Sequence, residues 1–212
     1  MMNNDPGIIC FQHCLKNAKV FTFKFPDTCH FCRKDLSNTE LRIPPFKVPY
    51  PFCKGNTEPN ILVIKPTIGD FLNHYENSSD LHIGVTDSTG LVYEYDMNGK
   101  EKSSGQTWLQ CLPIKVVENI TFSQKIYWDQ VLTDVFNQSQ WTSEWYNQDS
   151  HNCYSFVLTF LRSLQFQELH PYLKDKTTFC EQFVLPQACI AAKYISLYRQ
   201  VKTESIVIKT TS

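Results

Sequence analysis

The chain has 212 residues, 42% of them hydrophobic, with 15 Phe and 10 Tyr, enough to bury the core of one domain plus a small appendage and to exclude wholesale disorder. Twenty Lys and Arg face 21 Asp and Glu, for a formal net charge of -1, so the basic excess on which non-specific nucleic-acid binding depends is missing. No run approaches the ~18 apolar residues of a membrane span, no basic and apolar signal pattern opens the chain, and the odd count of nine cysteines does not resemble a disulfide framework. These features predict a cytoplasmic or nuclear protein with reduced thiols and no organic cofactor, whose partners are proteins rather than nucleic acid or membrane.

Residues 1–37 read as a cysteine-rich hairpin, with the alternating stretch Val20-Phe21-Thr22-Phe23-Lys24-Phe25 between two cysteine pairs. Cys10 and Cys14 are spaced C-x3-C, and Cys29 and Cys32 are spaced C-x2-C. Two thiolate pairs on adjacent turns can close a tetrahedral zinc site around a β-hairpin, giving a zinc-ribbon-like unit. The second spacing is standard, whereas the first is one residue too long, so His13 is an alternative ligand to Cys10. Four protein ligands imply structural rather than catalytic zinc. The competing reading is a set of reduced cysteines on a hairpin, with no metal.

Residues 38–58 form a connector that Pro44, Pro45, Pro49 and Pro51 keep from being helical. Phe46, Tyr50 and Phe52 make it too apolar to be a free linker. Residues 59–212 are then the main domain. Ile61–Ile64 is a short strand ahead of Pro66. Leu81–Thr86 and Leu91–Asp96 form a hairpin around Asp87-Ser88-Thr89-Gly90, and a further strand falls in Leu112–Val117. From Ser123, as N-cap, Trp128, Val131, Leu132, Val135 and Phe136 recur at helical spacing. A second helix starts near Ser150 and carries Cys153, Phe156, Val157, Phe160, Leu161 and Leu164 on one stripe. Ala188–Gln200 is helical in part, and Ser205–Ile208 adds a last strand. Strands first and helices afterwards predict an α+β fold.

Cys153 is the main candidate for chemistry. With Ser150 or Asp149 as cap it falls in the first turn of its helix, where unpaired amides and the positive dipole end favour thiolate over thiol. A nucleophilic cysteine also needs a base, usually histidine, and a third group to orient that base. His82 is the natural partner, because Leu81, Ile83 and Val85 occupy the other face of its strand, and Gly84 leaves room beside it for a backbone or a substrate. The orienting group depends on hairpin register. A three-residue loop, Ser88-Thr89-Gly90, places Asp96 opposite His82 and Glu94 on the diagonal. A two- or four-residue loop places Tyr95 opposite instead. Gly90 stands where the three-residue loop needs a left-handed residue, which favours the carboxylates. The bland alternative is that Cys153 and His82 are ordinary buried core residues. His151 is expected to be exposed. Cys53, Cys111, Cys180 and Cys189 lack partner spacing and are assigned to the core.

Leu81-His82-Ile83-Gly84-Val85 followed by His151-Asn152-Cys153-Tyr154-Ser155-Phe156 resembles the circularly permuted papain-like fold of the lecithin retinol acyltransferase-like proteins and the deSUMOylating-type isopeptidases. There a histidine on an early strand precedes a cysteine at a helix start. The acyltransferase-like group has a second polar residue, usually histidine, about a dozen positions after the first; Glu94 holds that place here. The resemblance spans residues 60–165 and implies a thiol hydrolase or acyl-transfer enzyme acting on an amide, isopeptide or ester. Over nearly its whole length the chain is also similar to the makorin-2 opposite-strand protein family. That similarity rests on Phe11-Gln12-His13-Cys14, Cys29-His30-Phe31-Cys32, Asp80–Val85, Val92–Tyr95, His151–Ser155 and Ala192–Arg199, and implies no reaction of its own. The second hypothesis is therefore a non-catalytic interaction protein on a papain-like scaffold.

Overall fold

The computed structural model describes residues 6–104 and 106–210. These residues form two units: the segment up to Tyr50 together with the segment from Ala192 onward, and Pro51–Ala191 between them. The division differs from the sequence-based one of 1–37, 38–58 and 59–212. The C-terminal strand belongs with the N-terminal hairpin, and part of the connector is itself a strand.

The first unit is a four-stranded antiparallel sheet of order β3-β1-β2-β9, built from β1 (Ile9–Gln12), β2 (Ala18–Thr22), β3 (Ile43–Lys47) and β9 (Ile206–Thr210). Pro44 and Pro45 are tolerated because β3 is an edge strand, where a missing N–H can face solvent. Val207 of β9 is buried and pairs with Phe21, while Ile208 pairs with Val20. This alternating apolar terminus finds its register on β2 and so leaves the main domain. Phe11, Val20, Cys29 and Leu36 form the core of this unit, joined by Phe25, Leu41 and Ile206.

The second unit holds a five-stranded antiparallel sheet of order β7-β6-β5-β4-β8. Its strands are β4 (Leu62–Pro66), β5 (Leu81–Thr86), β6 (Val92–Asp96), β7 (Gly99–Ser103) and β8 (Leu112–Ile114). Val85 pairs with Tyr93 and Thr86 with Val92, the register of a three-residue loop. Gly90 has φ +86°, and Asp87 Oδ1 accepts from the N–H groups of Thr89 and Leu91. The two sheet faces then divide by strand alternation. On one, Tyr93 packs edge-on against Phe136 and Tyr95 against Trp141. On the other stand Val63, Lys65, His82, Gly84, Val92 and Glu94, with Trp108 laid across them.

Helices α1 (Phe122–Phe136) and α2 (Cys153–Ser163) pack together through Trp128 against Phe160, whose centroids are 4.8 Å apart. Neither begins at its predicted cap. Thr121, not Ser123, caps α1 in a capping box with Gln124. Asn152, not Ser150 or Asp149, caps α2, accepting from the N–H groups of Tyr154 and Ser155 while Ser155 Oγ accepts from the Asn152 N–H. Asparagine serves as well as serine here because its amide oxygen reaches the same orphan donors. A last helical run comprises α3 (Lys176–Phe179), a π-helical turn at Cys180–Val184 and α4 (Leu185–Glu204). It starts well before the predicted Ala188. The architecture is mixed α+β, and no helix among the described residues is long and apolar enough to cross a membrane.

Candidate functional site

The start of β5, the end of β6 and the start of α2 meet at one open cleft of about 470 Å³. Its walls include Lys65, His82, Glu94, Tyr146, Asn152 and Cys153. His82 and Cys153 are largely buried, 8% and 6% exposed, yet both line this opening. Cys153 is the first residue of α2, which the Asn152 cap fixes. The cap takes the N–H groups of Tyr154 and Ser155 and leaves the Cys153 N–H outside it.

Of the two candidate carboxylates, Glu94 is the one hydrogen-bonded to the imidazole. Its Oε2 lies 2.8 Å from His82 Nε2, and its Oε1 accepts from Trp108 Nε1 at 2.9 Å. The diagonal placement explains why Glu94, with its longer side chain, reaches the ring. Asp96 lines the cleft but bonds elsewhere: its Oδ1 accepts the Asn98 N–H at 2.7 Å within the β6–β7 turn. The two carboxylates expected from the register are thus not equivalent, and Asp96 has no bond to His82.

Burial opposes a charge on His82, but hydrogen bonding to Cys153 and Glu94, together with their charges, outweighs it and raises the imidazole to about 9. Burial likewise opposes the Glu94 charge, yet the bonds from His82 and Trp108 and the charges of His82 and Lys65 hold it below the ordinary carboxylate range. Both shifts favour an ionised carboxylate–imidazolium pair. With Nε2 bonded to Glu94, Nδ1 is the nitrogen left to meet Cys153. His151 is half-buried rather than exposed and is held apart, stacked on Trp141 at 4.8 Å and 3°, with Nε2 3.2 Å from the Gln140 carbonyl oxygen.

Trp108 is the participant that sequence reasoning missed. It is fully buried in a core cluster with Ile61, Val63, Val92 and Cys111. The room predicted beside Gly84 is filled by this indole: a Cβ on Gly84 would stand 3.1 Å from Trp108 Cζ2 and 2.8 Å from Val92 Cγ1. Of the unpaired cysteines, Cys111 is buried and Cys53 and Cys180 are half-buried, but Cys189 on α4 is exposed and not a core residue.

The first unit holds a separate constellation. His13, Cys14, Cys29 and Cys32 bring their ligand atoms within 4.8 Å of one another and could hold a metal ion. Cys14 Sγ and Cys29 Sγ are 3.7 Å apart, and Cys32 Sγ is 3.4 Å from His13 Nδ1. Cys10 is outside the group. It lies inside β1, where alternation turns it away from the face on which Phe11 packs with Cys29. His13 and Cys14, just past the strand end, supply the first pair instead. Burial raises the Cys29 thiol, but the backbone N–H groups of Cys32 and Phe31 and the His13 ring bring it down to about 6.

Comparison with known proteins gives the lineage. The DUF4796 C-terminal family matches residues 45–201 and the DUF4796 N-terminal family residues 6–36. A human relative, the MKRN2 opposite strand protein, is 32% identical over 202 residues, covering 95% of this chain and 89% of that relative. The chain belongs to the MKRN2 opposite strand protein family. No solved structure matches it. Within the family, the boundary between the two matched regions falls between the cysteine cluster and the sheet that carries His82.

The raised imidazole makes stability depend on pH in a definite sense. A group held above its ordinary 6.5 at about 9 contributes fully below pH 6.5 and loses that contribution as pH rises through 9. Urea unfolding of the parent and of His82→Gln should show the difference between them shrinking across this window, by an amount on the order of 3 kcal/mol. A pH-independent difference contradicts the charged pair.

Proposed function

We propose that the protein is a cysteine-dependent hydrolase or acyl-transfer enzyme acting on an amide, isopeptide or ester, with Cys153 as nucleophile, His82 as base and acid, and Glu94 as the orienting group. The observation that carries this reading is the 2.8 Å Glu94–His82 hydrogen bond beside a helix-start cysteine on the same open cleft. A buried histidine needs one hydrogen-bonding partner to be satisfied. A carboxylate on one nitrogen and a thiol near the other is the arrangement that nucleophilic catalysis requires.

In this reaction the Cys153 proton already rests on His82 Nδ1, as the ionised imidazole requires, and the Cys153 thiolate attacks the carbonyl carbon. The Cys153 N–H, free of the helix cap, faces the developing oxyanion. Collapse of the tetrahedral intermediate breaks the carbonyl bond to the amine or alcohol, which leaves with the proton from His82, and a thioester remains on Cys153. Water, or a second acceptor, then attacks the thioester as His82 takes its proton. The product acid or transferred acyl group departs as the intermediate expels the Cys153 thiolate, and the proton taken by His82 restores the thiolate–imidazolium pair. Glu94 stays ionised throughout and stabilises the imidazolium.

For the cluster in the first unit we propose structural zinc, held by His13, Cys14, Cys29 and Cys32. A tetrahedral site with Zn–S of about 2.3 Å and Zn–N of about 2.0 Å has S···S edges of about 3.8 Å and S···N edges of about 3.5 Å. The observed 3.7 and 3.4 Å match those edges. Four protein ligands leave no open position, so the role is to fasten a hairpin whose own core is small.

Two measurements test these readings. Iodoacetamide should modify Cys153 near neutral pH faster than the exposed Cys189, with the advantage lost on unfolding and cut roughly tenfold by His82→Ala. Equal rates at Cys153 and Cys189 favour the non-catalytic interaction protein instead. Elemental analysis of the purified protein should find one zinc per chain, retained in Cys10→Ser and lost in His13→Ala and in the double variant Cys29→Ser/Cys32→Ser. Metal-free parent protein, or zinc lost from Cys10→Ser alone, contradicts the proposed site.

A further inference from the structure

Building on the thiol reading above, we propose that Trp108 is a positioning residue of this site: its indole N–H clamps one oxygen of Glu94 so that the other is aimed at His82. A carboxylate bound at a single oxygen can still swing about its terminal torsion, which is broad and poorly defined for glutamate. Here both oxygens are engaged, Oε1 by Trp108 Nε1 at 2.9 Å and Oε2 by His82 Nε2 at 2.8 Å. The carboxylate plane is thereby fixed, and with it the direction of the imidazole.

The indole is itself held from several sides. Its backbone carbonyl accepts from the Gly55 N–H at 2.7 Å, and the Cys111 thiol donates to the same oxygen at 3.2 Å. Gly55 and Gly84 flank it so closely that a Cβ on Gly55 would lie 2.6 Å from Trp108 Cβ, and one on Gly84 3.2 Å from Cη2. Lys65 Nζ sits 4.4 Å from the ring centroid, directly across the β4–β5 pair from His82. A buried tryptophan ordinarily satisfies its N–H with a carbonyl, as Trp128 does with Thr86 and Trp141 with Val135. Using an ionised carboxylate instead brings a charge into the core, which is unfavourable unless that charge is fully bonded. The catalytic geometry gives that placement a purpose.

The test compares the parent with Trp108→Phe, which keeps an aromatic ring and removes the N–H, reading the His82 ring titration by NMR and the iodoacetamide rate at Cys153. The prediction is a native fold by circular dichroism, a His82 titration midpoint at least half a unit below the parent's, and a Cys153 rate about tenfold lower at pH 7. The same substitution made on top of Glu94→Gln should add little, because the clamp then has no carboxylate to hold. Should Trp108→Phe fail to fold, 3-benzothienylalanine at 108, which replaces the indole N–H by sulfur in the same outline, takes its place. An unchanged titration and rate in a folded variant overturn the positioning role. A parent Cys153 no faster than Cys189, with a His82 midpoint that still drops in the variant, overturns the thiol reading alone and leaves the clamp standing.

Discussion

A carboxylate and an imidazole share a hydrogen bond with almost no solvent around them: Glu94 is 6% exposed and His82 8%. Isolated, either charge would be costly in such a place, and removing one partner of a buried pair typically costs about 3–5 kcal/mol because the other is left uncompensated. The surrounding structure provides the compensation. β5 and β6 set the diagonal between the two residues, Trp108 occupies the second carboxylate oxygen, and Lys65 adds positive charge nearby. The second nitrogen of His82 is left to Cys153, which α2 delivers to the same cleft.

Much of this was legible in the sequence because it depends on local rules. The hairpin register followed from Gly90, whose left-handed φ selects a three-residue loop, and that register alone chose carboxylates over phenols as neighbours of His82. The stripe from Cys153 to Leu161 marked α2 through its 3.6-residue period. The site members that depend on side-chain reach were less legible. Asp96 stands directly opposite His82 and Glu94 on the diagonal, so position alone favours Asp96; the turn bond from the Asn98 N–H holds Asp96 away, and the longer Glu94 reaches the ring. Trp108 lies in a loop without periodicity, so nothing in the chain order pointed to its contact with Glu94. A buried tryptophan near a strand glycine, with its N–H seeking an acceptor, is the one signal that was there to use.

The N-terminal region shows the same division between pattern and placement. The C-x2-C spacing at Cys29–Cys32 marked a candidate ligand pair, and in the structure the backbone N–H groups of Phe31 and Cys32 fold back on the Cys29 sulfur. For the other pair, spacing left Cys10 and His13 as alternatives beside Cys14, because spacing counts residues while a strand counts faces: β1 carries Cys10 to the far side and releases His13 and Cys14 where the sulfur atoms gather. The two compact units differ from the sequence-based division for a related reason. Pairing between β2 and β9 joins residues nearly the whole chain apart, and no local feature of Ile206–Thr210 names its partner.

The claim on which the rest stands is that Glu94 and His82 act as one coupled unit. A double-mutant cycle with His82→Ala, Glu94→Ala and the double variant, read by urea unfolding at pH 7, measures that coupling directly. The account predicts strong non-additivity, with the double variant less destabilised than the sum of the two single ones by roughly 1.5–3 kcal/mol. Effects that simply add, within about 0.5 kcal/mol, would contradict it.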